Sequence, residues 1–455
     1  MGLADETKLL GSAYDYALDY VRTVDARPVY PTGEAIQRLE SFVEDLPDEG
    51  TDGQAIMRLL HEVGSPATVA QTGGRYFGFV NGGALPISIA ARWLADVWDQ
   101  NTGLYVMSPV AATLEGVCET WLVDLLGLPE GTAAGFVNGS SAATLCGLAA
   151  ARNQLLKRQG WDVAARGLFG APPIRVVIGE EAHATVLKAL SLLGLGSARV
   201  ERVPADDQGR LDPAHLPVLD DRTLLVLQAG NVNTGAFDRF DLLCEKAKAQ
   251  GAWVHVDGAF GLWAAASDKF SDLTASMSDA DSWSADAHKT LNVPYDCGIV
   301  FCADRAALAD AMALEGSYIL YSDRRDGMRY TPDMSRRARG VELWAALKSL
   351  GRGGVSALVE QLHERASSFA GQLAEHGFQI ANDVCFNQFN VVVGDERATQ
   401  AFTSAVQSSE VCWCGTASRR GQPFIRVSVC SHATTDDDIS RSVEAFLQAR
   451  AALSG

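Results

Sequence analysis

The sequence predicts an α/β protein with a mainly parallel, seven-stranded sheet at the core of a large domain. Short apolar runs recur between helical segments from residue 133 to residue 302, and most of them are apolar without strict alternation. A continuous apolar run is typical of a strand that helices cover on both faces. The seven predicted strands are 133–137, 174–178, 198–203, 223–228, 252–257, 281–285 and 297–302.

The regions on either side of these strands predict two further units. A chain of 455 residues fits two or three domains. Residues 1–65 are predicted to form an N-terminal helical arm, in which Pro28 and Pro31 separate the first helix from the second. The large domain is predicted to span 66–345. Residues 346–455 begin with a long helical stretch and contain two more apolar runs, 389–393 and 424–430, which predict a smaller C-terminal α+β domain.

Composition and charge exclude several classes of protein. Hydrophobic residues make up 47% of the chain and charged residues 21%, which is ordinary for a globular protein. The formal net charge of −18 repels phosphate backbones and anionic lipids, so we expect neither a nucleic-acid partner nor a membrane partner. The sequence has no apolar run of about 18 residues, and its acidic start lacks the positive charge of a signal peptide. These features predict a soluble, cytoplasmic protein.

The nine cysteines show no paired CxxC spacing. We expect most of them to be reduced and buried as small hydrophobic residues. Cys412 and Cys414 form a CxC motif around Trp413, but two thiols alone are too few for a structural zinc site. The sequence therefore predicts no metal site.

The residues that follow each predicted strand carry the functional signal, because ligands of an open parallel sheet bind beyond the carboxyl ends of its strands. Asn138-Gly139-Ser140-Ser141 follows the first strand and precedes a helix. Small residues ahead of a helix leave backbone N–H groups free to bind a phosphate. On its own such a turn is more often only a helix cap, so it gains meaning from the other strand ends.

Those other strand ends carry His183, Thr234 within the turn 229–235, Asp257, and the pair His288-Lys289. Each has an ordinary structural explanation when taken alone: a solvated histidine, a turn, a paired carboxylate and a surface lysine. Together, a phosphate-binding turn, an aromatic nitrogen side chain, a buried carboxylate and a lysine would enclose a flat, phosphorylated, basic ring. Pyridoxal 5′-phosphate is a ligand of this kind.

At these residues the sequence resembles the group II pyridoxal-phosphate-dependent amino acid decarboxylases, which act on glutamate, histidine and aromatic L-amino acids. The resemblance implies the fold-type I architecture, a homodimer with active sites shared at the interface, and conversion of an L-amino acid substrate to an amine and carbon dioxide. The similar segments are RYFGFV at 75–80, WDQNTGLYVMSPVAATLE at 98–115, Gly139-Ser140-Ser141, His183, HVDGAFG at 255–261, DAHK at 286–289 and IRVSVCSHATTDDDI at 425–439.

The resemblance implies roles for individual residues around the cofactor ring. Lys289 matches the Schiff-base lysine, and Asp257 matches the partner of the pyridine nitrogen. His183 is expected to stack on one face of the ring, and Ala259 to lie against the other.

The same resemblance assigns the remaining cofactor contacts. The turn formed by Gly139, Ser140 and Ser141 is expected to hold the phosphate together with His288. Thr234 is expected near the phenolic oxygen of the cofactor or near the substrate carboxylate.

A proton must be returned to Cα after carbon dioxide leaves, and family members use a loop tyrosine as this general acid. The corresponding stretch, 315–337, offers Tyr318, Tyr321 and Tyr330, and it looks shorter than in the aromatic decarboxylases. We predict Tyr330 as the donor, with Tyr321 as the alternative.

Several features leave the substrate open. Ala142 replaces a residue that is often acidic in the family, and Gly73-Gly74 replaces its usual His-Pro. Arg426 would either anchor a carboxylate, as in fold-type I aminotransferases, or form a structural ion pair. The aromatic residues Tyr76, Phe77, Phe79 and Trp98 would enrich either a substrate pocket or the core.

Other reactions are compatible with the same fold. These are an aldehyde synthase, a carbon-carbon lyase and an aminotransferase, together with a catalytically silent protein that only carries the cofactor.

Overall fold

A computed structural model describes residues 3–314, 321 and 323–454 of the chain. Its elements form two separate sheets with helices packed around them. The α-helices are α1 (Leu3–Thr23), α2 (Gly33–Gln37), α3 (Gly53–Leu59), α4 (Pro86–Trp98), α5 (Pro109–Leu125), α6 (Ser140–Arg158), α7 (Val163–Arg166), α8 (Ala184–Leu192), α9 (Phe240–Ala249), α10 (Ser271–Thr274), α11 (Arg305–Met312), α12 (Gly340–Glu375), α13 (Glu396–Ser408) and α14 (Asp436–Ser454).

The large sheet has seven strands in the order β1-β7-β6-β5-β4-β2-β3. Each predicted run overlaps one of them, and only β7 runs antiparallel to its neighbours, so the predicted seven-stranded, mainly parallel sheet is confirmed. The strands are β1 (Ala133–Val137), β2 (Arg175–Gly179), β3 (Glu201–Val203), β4 (Thr223–Gln228), β5 (Trp253–Asp257), β6 (Ser282–Asp286) and β7 (Gly298–Cys302).

Helices cover both faces of this sheet, which explains why its strands do not alternate in sequence. In β4, Leu224 and Val226 pack into a cluster with residues of α6, α8 and α11. Their neighbours Leu225 and Leu227 point to the opposite face, into a cluster with residues of α5, α9 and α12. Because both faces are buried, the four central positions of the strand are all apolar.

The direction of the strands defines two edges of the large sheet. At the carboxyl edge, β1, β4, β5 and β6 end with Val137, Gln228, Asp257 and Asp286. At the opposite, amino edge lies the end of β7, since Cys302 pairs with Ser282, the first residue of β6. Residues that follow β7 therefore start from the edge remote from Asp257 and Asp286.

The small sheet is antiparallel and has the order β10-β11-β9-β8. The two predicted runs overlap β9 and β11, whereas β8 and β10 are not anticipated by apolar runs. β8 has only two residues, and β10 has the polar sequence GTASR with partly exposed side chains. The strands are β8 (Gln379–Ile380), β9 (Gln388–Val392), β10 (Gly415–Arg419) and β11 (Gln422–Ser428).

The long helix α12 spans the predicted domain boundary at residue 345. It bends at Gly351, whose φ of 62° and ψ of −179° are not helical. Leu343 and Leu347 before the bend join the core of the large sheet, and Leu362 and Phe369 after it join the core of the small sheet. The predicted limits of the domains stay predictions. Because one helix, α12, contributes side chains to both cores, no linker is needed between them.

The cysteines and the helices add two facts about the chain as a whole. All nine cysteines are free thiols, and eight of them are buried. Within the described part of the chain, none of the helices combines the length and apolar character needed to cross a membrane.

Candidate active site

The loop after β6 brings Lys289 to the carboxyl edge of the large sheet. Its Nζ lies 3.0 Å from Oδ2 of Asp286, the buried last residue of β6. The loop is closed onto β7, because the N–H of Ala287 donates to the carbonyl of Cys297 at 2.9 Å. Lys289 is therefore fixed at its backbone, while its amine is partly exposed at the strand ends.

The turn between β1 and α6 lies against the same carboxylate. The hydroxyl of Ser140 donates to Oδ2 of Asp286 at 2.6 Å, and its backbone N–H donates to Oδ1. A carboxylate is favourable at this position because the first N–H groups of a helix carry positive charge. The turn thus binds a carboxylate of its own chain, and the predicted phosphate site stays a prediction. Ser141, the next residue, is exposed at the helix terminus.

The close approach of Gly139 to Gly298 of β7 makes this turn possible. A Cβ atom at Gly298 would lie 2.4 Å from Cα of Gly139. His288 lies beside the turn, and its Nδ1 accepts a hydrogen bond from the N–H of Cys297 at 3.0 Å. In the neutral ring the proton is therefore on Nε2, which faces Oδ1 of Asp286 at 3.6 Å.

Asp257 is a buried carboxylate without an ion pair. It is only 7% exposed, and its Oδ1 accepts a hydrogen bond from the N–H of Ala259 at 3.3 Å. Of the residues that the structure describes, none places a cationic nitrogen within 4 Å of it. Burial raises the pKa of Asp257, although the charges of His183 and Lys289 act in the opposite direction. A buried carboxylate without an ion pair is costly, so a cation or a proton donor that approached Asp257 would stabilise its charged form.

Ala259 connects the ends of β5 and β6. Its N–H donates to Asp257, and its carbonyl accepts a hydrogen bond from the N–H of Asp286 at 2.8 Å. Its partly exposed methyl group is a small apolar surface between the two carboxylates.

His183 is held as the N-cap of α8. Its Nδ1 accepts from the N–H of Thr185 at 3.3 Å and lies 2.7 Å from the Thr185 hydroxyl. Burial lowers the pKa of His183; the negative charge of Asp257 raises it, and the positive charges of Lys289 and Arg426 lower it further. The ring is therefore neutral near pH 7, and it lies within electrostatic reach of all three charged groups.

Arg426 on β11 brings a cation from the small sheet to this site. Its Nη1 donates to the carbonyl of Val232 at 3.2 Å, and its Nη2 to the carbonyl of Phe79 at 3.4 Å. Among the residues described, it forms no ion pair with a carboxylate, so the structural ion pair considered from the sequence is not formed. Burial lowers the pKa of Arg426.

The structure does not bring Thr234 into this cluster. The side chain is 1% exposed, and its hydroxyl donates to the carbonyl of Gln208 at 2.6 Å while accepting from the N–H of Ala236. The hydroxyl stabilises its own turn, so a ligand would reach it only after that turn opened.

The predicted proton donor Tyr330 lies on the far side of the sheet. Its side chain is buried, with 7% exposed, and its hydroxyl is 3.1 Å from Nη1 of Arg305. Its backbone carbonyl packs against Gly135, in the middle of β1. Arg305 begins the helix that follows β7, at the amino edge. Tyr330 thus bonds to a residue of the amino edge, whereas Lys289 of the same chain lies at the carboxyl edge.

The other two predicted tyrosines also lack a contact with the cluster. The hydroxyl of Tyr321 donates to the carbonyl of Leu314 at 2.8 Å, and the guanidinium of Arg329 lies 5.1 Å from the centre of its ring. Tyr318 lies outside the described residues.

The four aromatic residues considered for a substrate pocket have different surroundings. Phe77 is buried in the core of the small sheet. Tyr76 and Phe79 stack on Trp413, with ring centres 5.2 Å and 5.8 Å from it. Trp98 is exposed at the end of α4. Only Phe79 is tied to the cluster, through the hydrogen bond from Arg426 to its carbonyl.

Sequence reasoning missed Tyr295 and Asn292, which follow Lys289 in the same loop. The ring of Tyr295 packs on His288 with centres 4.3 Å apart, and its hydroxyl donates to Asn81 at 3.0 Å. Burial raises the pKa of Tyr295. Asn292 has a φ of 55°, a conformation that asparagine adopts more readily than most residues. Its place soon after the lysine is the signal that was available in the sequence.

The residues at the carboxyl edge fit pyridoxal 5′-phosphate. A protonated ring nitrogen would supply the cation that Asp257 lacks, and the start of α6 binds anions. The neutral ring of His183 and the methyl of Ala259 offer flat and apolar surfaces, and Lys289 offers an amine.

Comparisons with known proteins agree with this assignment. Residues 37–392 match the model of the pyridoxal-dependent decarboxylase conserved domain. An aromatic-L-amino-acid decarboxylase of Bacillus atrophaeus is 25% identical over 386 residues, or 81% of this chain and 78% of that protein. An acidic amino acid decarboxylase of Mus musculus is 26% identical over 362 residues, or 75% of this chain and 65% of that protein. The fold matches the crystal structure of Oryza sativa TDC with PLP and tryptamine, with a TM-score of 0.90 at 20% identity over 100% of this chain and 99% of that one.

Proposed function

The chain belongs to the pyridoxal-dependent decarboxylase family, and from that premise we propose how its residues serve the conversion of an L-amino acid to an amine and carbon dioxide. When bound, pyridoxal 5′-phosphate supplies an electron sink for the bond that breaks at the substrate Cα. The chain's own residues must therefore hold this group, orient the substrate carboxylate and manage protons.

The single observation that carries the proposal is the buried Asp257 carboxylate without a cation, close to the Lys289 amine. We assign the covalent hold on the cofactor to Lys289 through a Schiff base, and the protonated ring nitrogen to Asp257. An opposite charge at close range moves a pKa by about 1 to 3 units toward the charged form, so Asp257 keeps a neighbouring nitrogen protonated.

The phosphate is assigned to the start of α6. The hydrogen bonds of Ser140 are already accepted by Asp286, so we assign the phosphate chiefly to Ser141 and to Nε2 of His288. Gly139 allows this turn to approach β7. His183 and Ala259 are assigned to the two faces of the cofactor ring.

Arg426 is assigned to the substrate carboxylate. Its only acceptors among the described residues are the carbonyls of Phe79 and Val232, which leaves the positive charge without a counter-ion. A guanidinium binds a carboxylate through paired N–H groups. A fixed carboxylate at this position sets which bond at Cα is aligned for cleavage.

The proton donor is assigned to the loop tyrosines by elimination. The hydroxyls of Tyr321 and Tyr330 are bonded within their own chain, away from Lys289. We therefore propose Tyr318 in place of Tyr330. A change to phenylalanine at the true donor would shift the products from amine toward aldehyde, ammonia and hydrogen peroxide, with dioxygen as the oxidant.

We further propose a homodimer with shared active sites. Large apolar side chains are exposed along the arm, α4 and the segment after it, and Tyr14 of α1 packs edge-on against Trp93 of α4 at 5.9 Å, which joins these elements into one surface. An exposed apolar surface of this extent marks a protein interface. The most exposed members are Leu10, Val43, Leu46, Val97 and Val106.

A cytoplasmic location is also proposed. It rests on the nine free thiols, since reduced cysteines are typical of proteins kept in a reducing compartment.

The experiment that tests the proposed function is a product analysis. Purified enzyme with pyridoxal 5′-phosphate is incubated with aromatic and acidic L-amino acids, and amine, aldehyde, keto acid and carbon dioxide are quantified by mass spectrometry. We expect amine and carbon dioxide in equal amounts from one class of substrate. Keto acid or aldehyde as the main product would instead support an aminotransferase or an aldehyde synthase, and no product with any amino acid would support a silent carrier.

A further inference from the structure

We propose that Asn292 is a positioning residue that holds the backbone of Lys289 against two distant segments, around Gly83 and around His432. The part of this inference that concerns activity rests on the proposed function of Lys289. The junction itself is a statement about packing that can be measured without substrate.

The amide nitrogen of Asn292 connects two stretches of backbone. The side chain is 0% exposed, and Nδ2 donates toward the carbonyls of Lys289 at 3.2 Å, Thr290 at 3.0 Å and Cys430 at 2.9 Å. The backbone N–H of Asn292 also donates to the Lys289 carbonyl, at 3.1 Å. The peptide of Lys289 is thus bound twice by one residue.

The amide oxygen brings in the stretch of chain around Gly83 and also binds the stretch around His432. Oδ1 accepts from the N–H of Gly83 at 2.9 Å and from the N–H of His432 at 2.8 Å. The backbone carbonyl of Asn292 accepts from the N–H of Leu85 at 2.8 Å. One buried amide therefore joins segments near residues 83, 290 and 431, which are far apart in the sequence.

Gly82 and Gly83 show how closely their segment packs on Lys289. A Cβ atom at Gly82 would lie 2.1 Å from the carbonyl oxygen of Lys289, and one at Gly83 would lie 2.8 Å from Oδ1 of Asn292. The backbone at Gly82 is thus in direct contact with the peptide that carries the amine. Movement of this segment would move Lys289.

The segment from Cys430 to His432 links Lys289 to Arg426. Cys430 lies two residues beyond the end of β11, and Arg426 is on that strand. Holding Cys430 and His432 to Asn292 therefore sets the distance between the amine and the guanidinium that is assigned to the substrate carboxylate. A displacement of about 1 Å in such a site costs roughly 10²-fold in rate.

No other side chain of similar size satisfies both sets of partners. Leucine would remove the hydrogen-bond partner of two N–H groups, at Gly83 and His432, and the side-chain donor to the carbonyls of Thr290 and Cys430. Aspartate would place a carboxylate oxygen against three carbonyls, but its protonated form regains one donor. The titratable group that faces this position is His432, whose Nδ1 lies 3.2 Å from Oδ1 of Asn292.

The test compares wild-type holoenzyme with Asn292→Leu, Asn292→Asp and Val406→Ala. Val406 is buried in the core of the small sheet on α13, so its truncation is a control for lost stability. Amide hydrogen exchange is measured at Gly83 and His432, and kcat and KM are measured across pH with the amino acid found in the product analysis.

We expect Asn292→Leu to lower kcat about 10²-fold at every pH while KM stays within about threefold. At high pH the kcat of Asn292→Asp should be as low as that of Asn292→Leu. It should recover toward the wild-type value as the pH falls, since only the protonated aspartic acid donates a hydrogen bond. Val406→Ala should keep the wild-type kcat and pH profile. Exchange should accelerate at both Gly83 and His432 in Asn292→Leu and not in Val406→Ala.

Equal impairment of the two Asn292 variants at all pH values, or a wild-type kcat in Asn292→Leu, would overturn the positioning role. A wild-type enzyme that forms no amine would instead contradict the proposed function. In that case hydrogen exchange still decides: faster exchange at both amides supports the junction, and unchanged exchange refutes it.

Discussion

Two regions of the molecule bury several charged side chains, and they differ in how those charges are neutralised. At the amino edge of the large sheet, Glu115 and Glu119 of α5 meet arginines of the segment before α12 and of α11. At the carboxyl edge, Asp257, His183 and Arg426 surround Lys289. In the first region both glutamates are paired with arginines, whereas in the second region Asp257 and Arg426 have no counter-ion among the described residues.

The amino edge is a closed ion network. Glu115 is 0% exposed, and its carboxylate accepts hydrogen bonds from Nη1 and Nη2 of Arg336, at 2.5 Å and 3.0 Å. Arg325 bridges Glu115 and Glu119, and Arg305 binds the other oxygen of Glu119 at 2.6 Å. Burial raises the pKa of Glu119, but Arg325, the N–H of Ala134 and Arg305 together hold it below its usual value.

The carboxyl edge keeps Asp257 without a cation and Arg426 without an anion among the described residues. Burial dominates both of their pKa values, raising that of Asp257 and lowering that of Arg426. The comparison teaches that buried charge alone does not mark an active site. What distinguishes the carboxyl edge is that Asp257 and Arg426, each without a counter-ion among the described residues, lie together with Lys289 at the ends of the strands.

The largest effect is expected from Lys289→Ala. Loss of the amine should abolish decarboxylation and the yellow absorbance of the bound cofactor, because no other amine lies at this edge among the described residues to replace it. Activity assays and absorbance spectra measure both. Yellow absorbance that is retained in the variant and then bleached by borohydride, with the cofactor left covalently attached, would place the Schiff base on another lysine.

Asp257→Asn should lower kcat about 10²-fold or more, since the amide cannot keep a nearby ring nitrogen charged. KM should change much less, because the carboxylate acts on the chemical step and not on the substrate. Steady-state kinetics with the preferred amino acid separates the two parameters. Losses of similar size in kcat and KM would contradict this role.

The amino edge should respond in stability. Glu115→Ala leaves the buried Arg336 without its carboxylate and removes one of the two carboxylates of Arg325, so we expect the free energy of unfolding to fall by about 3 to 5 kcal/mol. Denaturant titration measures this difference. A destabilisation well under 1 kcal/mol would show that water or other groups compensate and that the network is not closed.

In the cofactor-free protein, Asp257→Asn should have the opposite effect on stability. Because the folded pKa of Asp257 is raised, the unfolded state loses its proton first as pH rises, so stability falls from the ordinary carboxyl range up to the raised folded pKa. The amide of the variant has no such proton to lose, so the variant should gain stability relative to wild type at neutral pH. Thermal unfolding of both apo proteins across pH tests this. If the stability gain of the variant over wild type were larger at acidic than at neutral pH, the pKa of Asp257 would be shifted in the opposite direction.

The smallest effect is expected from Tyr330→Phe. It removes a single hydrogen bond to Arg305, so we expect about 1 kcal/mol of destabilisation and unchanged products. Product analysis alongside denaturation checks both. Aldehyde from Tyr330→Phe would restore Tyr330 as the proton donor.

The strands and the strand-end residues were predictable because their signals are local. A strand covered on both faces is apolar throughout, so all seven runs of the large sheet were recognisable. Lys289 and Asp257 follow directly from that pattern, since parallel strands place their ends at one edge. β10 gave no such signal, because its polar residues are held by pairing with β11 and not by burial.

Other positions could not be predicted, because long-range partners decide them. Thr234 bonds to the carbonyl of Gln208, and Tyr330 to the guanidinium of Arg305, so neither hydroxyl reaches Lys289. Asn292 gains its importance from residues near 83 and 431, which no local pattern connects to the lysine loop.

The sequence by itself determined the α/β class, the strand order along the chain and the chemical groups at the strand ends, since periodicity and residue type are local properties. Only the tertiary structure decided which buried charges are paired and which remain open. Ion pairing depends on distances of a few ångströms between segments that are hundreds of residues apart, and those distances arise from the packing of the whole chain.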